Sequence, residues 1–507
     1  MPATMAPPSK LGPALRRVVL ALVLLAVLAF ALWLKSPEIL RVGANYSAKI
    51  VCSNVFLAGR DPDEVLRTDV QAPGIALLRL MRVSVDRERH VVRAGLLGFI
   101  GDGLAVARPG TGCTVVPDGN LDSATHVPTV SAPGITSAAA APASSATAAA
   151  TAAAAGAAAG AEPSAGAGPA DWPAGNAVAT DAALERLLAD DTLAGPGIRA
   201  IVVVNHGRIV AERYGAGFSA TTPLLGWSMT KSVLAGVVGV LVKEGRLALD
   251  QPAGAAAIGA DGREAIRIAD LLAMSSGLNF NEAYGTVSDV TRMLYLEPDM
   301  AGFARGQPLM HPAGEFWSYS SGTANILSRI AQDAAGALGA QYPADKLFKP
   351  LGMTSATMET DESGTLVGSS YMYATARDWA RYGQFLLQAG VWQGQELLPR
   401  GYVAMMASPV AASDGQYGHG LVWLWGSDAA VPGKNPDAAF GIPADTFWMA
   451  GHDGQSTAII PSRELVIVRL GLTPARDHYS PQPLVKAILE ATQHRVTGER
   501  AWEPPSP

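Results

Sequence analysis

The sequence predicts a mixed α and β fold in which strands near the start and end of one long segment enclose helices. The first observation is a pair of apolar runs, Ile198 to Val204 and Arg208 to Tyr214, separated by Asn205-His206-Gly207, a strand–turn–strand pattern. Next comes Ser232 to Val242, apolar with small residues and without charge before Lys243. It reads as a helix buried on most sides and stopped near Gly245. The third is a second apolar helical run, Ile326 to Ala335, followed much later by the apolar runs Ala458 to Pro461 and Leu465 to Leu470.

The chemistry is concentrated just before the first helix, in Gly226-Trp227-Ser228-Met229-Thr230-Lys231-Ser232. Residues three apart on a helix share a face, so the Ser228 hydroxyl and the Lys231 amine can meet in one site. A serine is a weak nucleophile until a base takes its proton, and a lysine is a base only where burial or a nearby cation holds it neutral. Ser228 also precedes the helix, where free N–H groups and the helix dipole favour a developing negative charge. Ser-x-x-Lys alone is weak, since a chain of this length holds about one by chance.

Two further segments narrow the reading. One is Pro312-Ala313-Gly314-Glu315-Phe316-Trp317-Ser318-Tyr319-Ser320-Ser321-Gly322; the other is Phe447-Trp448-Met449-Ala450-Gly451-His452-Asp453-Gly454-Gln455. In order and setting the three segments resemble the serine β-lactamase and penicillin-binding-protein family, which uses Ser-x-x-Lys, Tyr-x-Asn and Lys-Thr-Gly or a His-x-Gly variant. The match is closest to its class C-like branch of esterases, D-aminopeptidases and aminohexanoate-oligomer hydrolases. It runs from about Trp172 to about Thr492 and is supported by Asp270 to Leu278 and Tyr373 to Gly383.

The resemblance implies an antiparallel sheet flanked by helices, with an all-helical lobe and the active site at their junction. Strands Ile198 to Tyr214 and Phe447 to Leu470 would pair, and Leu484 to Gln493 would be a C-terminal helix. It also implies Ser228 as nucleophile, with Lys231 and Tyr319 as proton carriers. Either works as a base near neutrality only with a depressed pKa, so which one takes the proton stays open. Backbone N–H groups of Ser228 and Gln455 would form the oxyanion hole, with His452, Gly454 and Ser321 lining the substrate site.

This chain departs from the family pattern twice, at Ser321 for the usual Asn and His452 for the usual Lys. Both changes remove groups that hold a penicillin's amide and carboxylate, and so favour an esterase or amidase. A D,D-peptidase or β-lactamase is the competing enzyme reading, and a sensor that acylates without turnover is the non-enzymatic one. No Gly-x-Ser-x-Gly elbow is present. The histidines and cysteines lack zinc-ligand spacing, so neither metal nor other cofactor is implied. His206 and His311 fall in turns, and His419 lies in a strand-like stretch near the pocket edge.

Composition bounds the partners. The net charge of −6 without basic blocks argues against nucleic acid, leaving a small ester, amide or peptide-like substrate. Val18 to Leu34 is an uninterrupted apolar run with Arg16 and Arg17 before it and Lys35 after it. Such a run suits an uncleaved single-pass anchor, a cleaved signal peptide being the competing reading, with residues 1–17 inside and the bulk translocated. Cys52 and Cys113 are the only cysteines and fit a disulfide formed in an oxidising, periplasmic compartment. They fall in a small β-containing appendage expected over 43–122. An Ala/Gly/Pro/Ser-rich tether follows over 123–171; the hydrolase unit spans 172–496 and a tail 497–507.

Overall fold

A computed structural model describes residues 12–125, 172–254, 262–426 and 434–493. The expected tether over 123–171 lies outside them apart from the end of a short helix, Leu121–Thr125, and the tail 497–507 lies outside them entirely.

Helix α1, Pro13–Leu34, is followed by α2, Glu38–Phe56. Strands β1 (Met81–Asp86), β2 (Val91–Leu96), β3 (Ile100–Arg108) and β4 (Gly112–Val115) form an antiparallel meander in the order of the chain. Gly103 lets α2 lie directly on the sheet, since a β-carbon there would sit 2.3 Å from the Ala44 backbone. The disulfide Cys52–Cys113 ties α2 to β4 with a Cα separation of 6.0 Å.

The central sheet has five antiparallel strands. Two are β5 (Ile198–Asn205) and β6 (Arg208–Tyr214); three are β7 (Phe447–Gly451), β8 (Gln455–Ile460) and β9 (Leu465–Gly471). Their order is β7-β8-β9-β5-β6, so the first and last strands of the hydrolase unit pair as expected. The β5–β6 turn places His206 and Gly207 both at positive φ, 49° and 71°, as a two-residue primed turn requires. Along β5, Ala200, Val202 and Val204 join the main core while Ile201 and Val203 face a second cluster. That alternation buries both sheet faces. The second cluster is completed by helix Gln482–Gln493. On the first face lie α3 (Met229–Lys243) and α5 (Ala376–Leu387), and α4 (Ser321–Ala334) packs on α3.

The N-terminal unit differs from the expected appendage in two ways. It opens with a helix, from Glu38, ahead of the appendage boundary expected at 43, and it shares the core of the hydrolase unit: Val51, Val65 and Val92 belong to the same cluster as Val233, Tyr371 and Trp379. Lys49, 1% exposed, pairs with Glu359, 0% exposed. Glu359 also accepts from Ser53 Oγ at 2.8 Å and from the Cys113 N–H at 2.7 Å. Asn45 Nδ2 donates to the Tyr295 carbonyl at 2.7 Å, and Asp69 is shared by Arg60 at 2.6 Å and Arg199 at 2.7 Å. Buried charges hold such a seam only when each is paired and hydrogen-bonded.

The expected membrane anchor over 18–34 is not supported as a span. Among the described residues no helix is long and apolar enough to cross a membrane, although α1 covers the segment and the side chains of residues 25, 26, 28 and 29 lie outside the description.

Candidate active site

Ser228 occupies the N-cap of α3. Trp227 before it has φ 49°, a conformation that costs a non-glycine residue about 1–2 kcal/mol. The indole is held between His452 (ring centroids 5.7 Å apart) and Tyr371 (6.2 Å). Its packing thus fixes the turn that presents Ser228, which is partly exposed while Lys231, one turn on, is 1% exposed.

The Lys231 amine makes three hydrogen bonds: to Ser228 Oγ at 3.1 Å, Ser321 Oγ at 3.0 Å and the Ser369 carbonyl at 2.9 Å. Ser369 is aimed by Asn325 on α4, whose Oδ1 accepts the Ser369 N–H at 3.1 Å. Burial disfavours the ammonium and lowers the Lys231 pKa to about 8, against a smaller opposing pull from Glu282.

Tyr319 stands directly before the N-cap of α4. Its ring stacks on Trp423 at 5.2 Å and lies 4.8 Å from the Lys231 amine. Its hydroxyl interacts with Ser228; burial, then Glu282, push its pKa upward. The three residues expected to act together therefore converge, and burial makes the neutral amine of Lys231 accessible near neutral pH, while Tyr319 stays protonated.

Glu282 is the residue that sequence reasoning missed. It lies between the supporting segment Asp270 to Leu278 and the tyrosine motif, in a stretch that carries no motif of its own. Its carboxylate accepts the Ser321 N–H at 2.8 Å and the Ser321 hydroxyl at 2.5 Å. Burial raises its pKa, opposed by Lys231. Ser321, 0% exposed, thus accepts from Lys231 and donates to Glu282, closing a line Ser228–Lys231–Ser321–Glu282. A part-buried acid in a loop has no local sequence signature, so only the fold reveals it.

The third motif is the β7–β8 hairpin. Gly451 must be glycine because a β-carbon there would lie 2.2 Å from the Gly226 carbonyl; this contact brings the end of β7 against the nucleophile's segment. His452 stacks on Tyr284 at 4.7 Å and faces the pocket half-exposed. Gly454, at φ 80°, is turned elsewhere, its carbonyl accepting from Arg469 at 2.9 Å. Gln455 opens β8 opposite Gly451, and its side chain donates to the carbonyls of His452, Asp453 and Gly471. Ser321 and Gly454 therefore have protein partners at the places where substrate contacts were expected. His419 bonds to Ser408, and no residue group among those described could hold a metal ion.

Comparison with known proteins agrees with this geometry. The family model described as Beta-lactamase matches residues 190–478, more than half of the chain. A curated relative, the 6-aminohexanoate-dimer hydrolase of Paenarthrobacter ureafaciens, is 26% identical over 322 residues, covering 57% of this chain and 76% of its own. Among solved structures, a proposed 6-aminohexanoate-dimer hydrolase from Bacillus anthracis is 21% identical with a TM-score of 0.50, covering 62% of this chain and 82% of that one, a likeness of fold. With a family model matching more than half of its length, the chain belongs to the beta-lactamase family and is a serine hydrolase.

Proposed function

We propose that the protein cleaves an acyclic ester or amide through an acyl-enzyme on Ser228. The observation that carries this reading is the buried Lys231 amine, with its pKa lowered to about 8 and a hydrogen bond of 3.1 Å to Ser228 Oγ. Neutral Lys231 takes the hydroxyl proton as Ser228 Oγ adds to the substrate carbonyl. The resulting ammonium is stabilised through Ser321 by the Glu282 carboxylate. The Ser228 N–H and an N–H from the 451–455 hairpin, Gln455 or the adjoining Gly451–His452 peptide, receive the oxyanion. Tyr319, kept neutral, passes a proton to the leaving group and regains one from Lys231. Water then attacks the acyl-enzyme by the same path in reverse.

The penicillin-directed alternatives are less well supported, because Ser321 is occupied by Lys231 and Glu282 and His452 stands in the place of the family's Lys. The relative named for an aminohexanoate dimer supports a linear amide among the substrates. Ester and nitrocefin turnover on the purified protein test this: kcat/KM for a simple acyl ester should exceed that for nitrocefin by ~10³-fold, the scale expected when polar substrate groups find no partners. Nitrocefin hydrolysis as fast as ester hydrolysis would favour the β-lactamase reading instead.

For localisation we propose a single-pass inner-membrane anchor with a periplasmic catalytic unit. Support comes from the apolar run 18–34, the exposed Val18, Leu20, Leu22 and Leu24 of α1, and the Cys52–Cys113 bridge.

A further inference from the structure

A cavity of about 410 Å³ opens beside the nucleophile's neighbour Trp227, within the range of about 300–1,000 Å³ usual for small-molecule sites. Tyr284 and His452 line it from the hydrolase unit. Its opposite wall is not made by that unit at all. Ile39, Val42 and Tyr46 of α2 and Ile75, Leu77 and Leu78 of the following segment supply it. This wall is hydrocarbon apart from the Tyr46 hydroxyl. That hydroxyl donates to the Asp69 carbonyl, and burial raises its pKa. The polar side chains Thr291, Asp453 and Arg476 sit on the hydrolase side, and Arg476 is engaged with the Ala72 and Pro73 carbonyls.

Past Ile75 the chain leads to an exposed apolar edge. Leu97 is hydrogen-bonded to the Leu80 carbonyl at 2.9 Å, and Leu80, Leu97 and Phe99 are each about half exposed, at 47%, 52% and 49%. These three side chains lie outside the cavity lining and leave a second apolar surface on the same N-terminal unit.

We propose that the N-terminal unit builds an apolar-chain subsite, so that the substrate is an ester or amide carrying an unbranched hydrocarbon chain. This rests on the hydrolase reading of Ser228 and adds the substrate class to it. Each methylene moved from water into such a wall should raise kcat/KM by roughly threefold to fourfold. 4-Nitrophenyl octanoate should therefore outrun the acetate by ~100-fold or more.

Two readouts separate the subsite from the chemistry. The first is the octanoate-to-acetate ratio of kcat/KM in the full chain and in the variant Ile39→Asp with Leu77→Asp, both part-exposed positions. The second is binding of the fluorescent fatty acid dansyl-undecanoate to Ser228→Ala, with and without those two substitutions. The proposal expects the ratio to fall at least tenfold and the binding to weaken at least tenfold. A flat chain-length series with undiminished dansyl-undecanoate binding in the variant overturns it and leaves the hydrolase reading intact. Absent ester turnover with binding that still depends on Ile39 and Leu77 would instead remove the hydrolase reading and keep the subsite.

Discussion

Replacing Glu282 by Gln probes the electrostatics of the proposed base. The Glu282 carboxylate and the Lys231 amine meet on the same Ser321 hydroxyl, at 2.5 Å and 3.0 Å. Burial lowers the lysine pKa to about 8, and the carboxylate's attraction is what keeps it from falling further. An opposite charge at such range shifts a pKa by about 1–3 units. The neutral amide leaves Ser321 an acceptor but removes that charge, so the Lys231 pKa should drop to roughly 7 or below. At pH 7 the wild-type amine would be neutral in roughly one molecule in ten, the variant's in half or more. The assay is kcat/KM for a simple ester between pH 5.5 and 9.5 at constant ionic strength. In the wild type the rate should rise with pH through about 8, as the ammonium loses its proton. In Glu282→Gln the rising limb should move at least one unit towards acid, with a lower plateau because a weaker base leaves its ammonium less stabilised. A limb that stays put, or moves to higher pH, would mean that Glu282 carries no charge near Lys231 or that another group is the base.

Two other perturbations have clear outcomes. Lys231→Ala and Tyr319→Phe should each lower kcat by about a hundredfold or more, and the double variant should cost far less than the product, because the groups act as a unit; a multiplicative loss in a double-mutant cycle would separate their roles. Lys49→Met leaves Glu359 buried without its cation and should cost about 3–5 kcal/mol in denaturant unfolding, whereas a loss under 1 kcal/mol would show that the seam between the units does not depend on this pair.

The parts of this molecule legible in its sequence are those in which chemistry and local structure coincide. Ser228 and Lys231 are one helical turn apart, so spacing alone brings them together, and Tyr319 lies in an ordered motif just before the apolar run of α4. The sheet was legible because β5, β6 and β9 are short apolar runs bounded by turns. Lys49 and Glu359 were not, because 310 residues separate them and each in isolation resembles a solvated charge. The same holds for Glu282, whose role depends on a loop closing over α4. Ser321 was legible as a departure from the family but not as a relay, since its partners Lys231 and Glu282 come from two other segments. The N-terminal unit gave away its β content and its disulfide. Its place as a wall of the pocket depends on packing between units, which no local pattern records.

Covalent labelling tests the central claim most directly. A fluorophosphonate probe should modify the protein, and peptide mass spectrometry should place the adduct on Ser228, with the label and ester turnover both lost in Ser228→Ala. An adduct on a different serine, or labelling that persists undiminished in Ser228→Ala, would contradict the account.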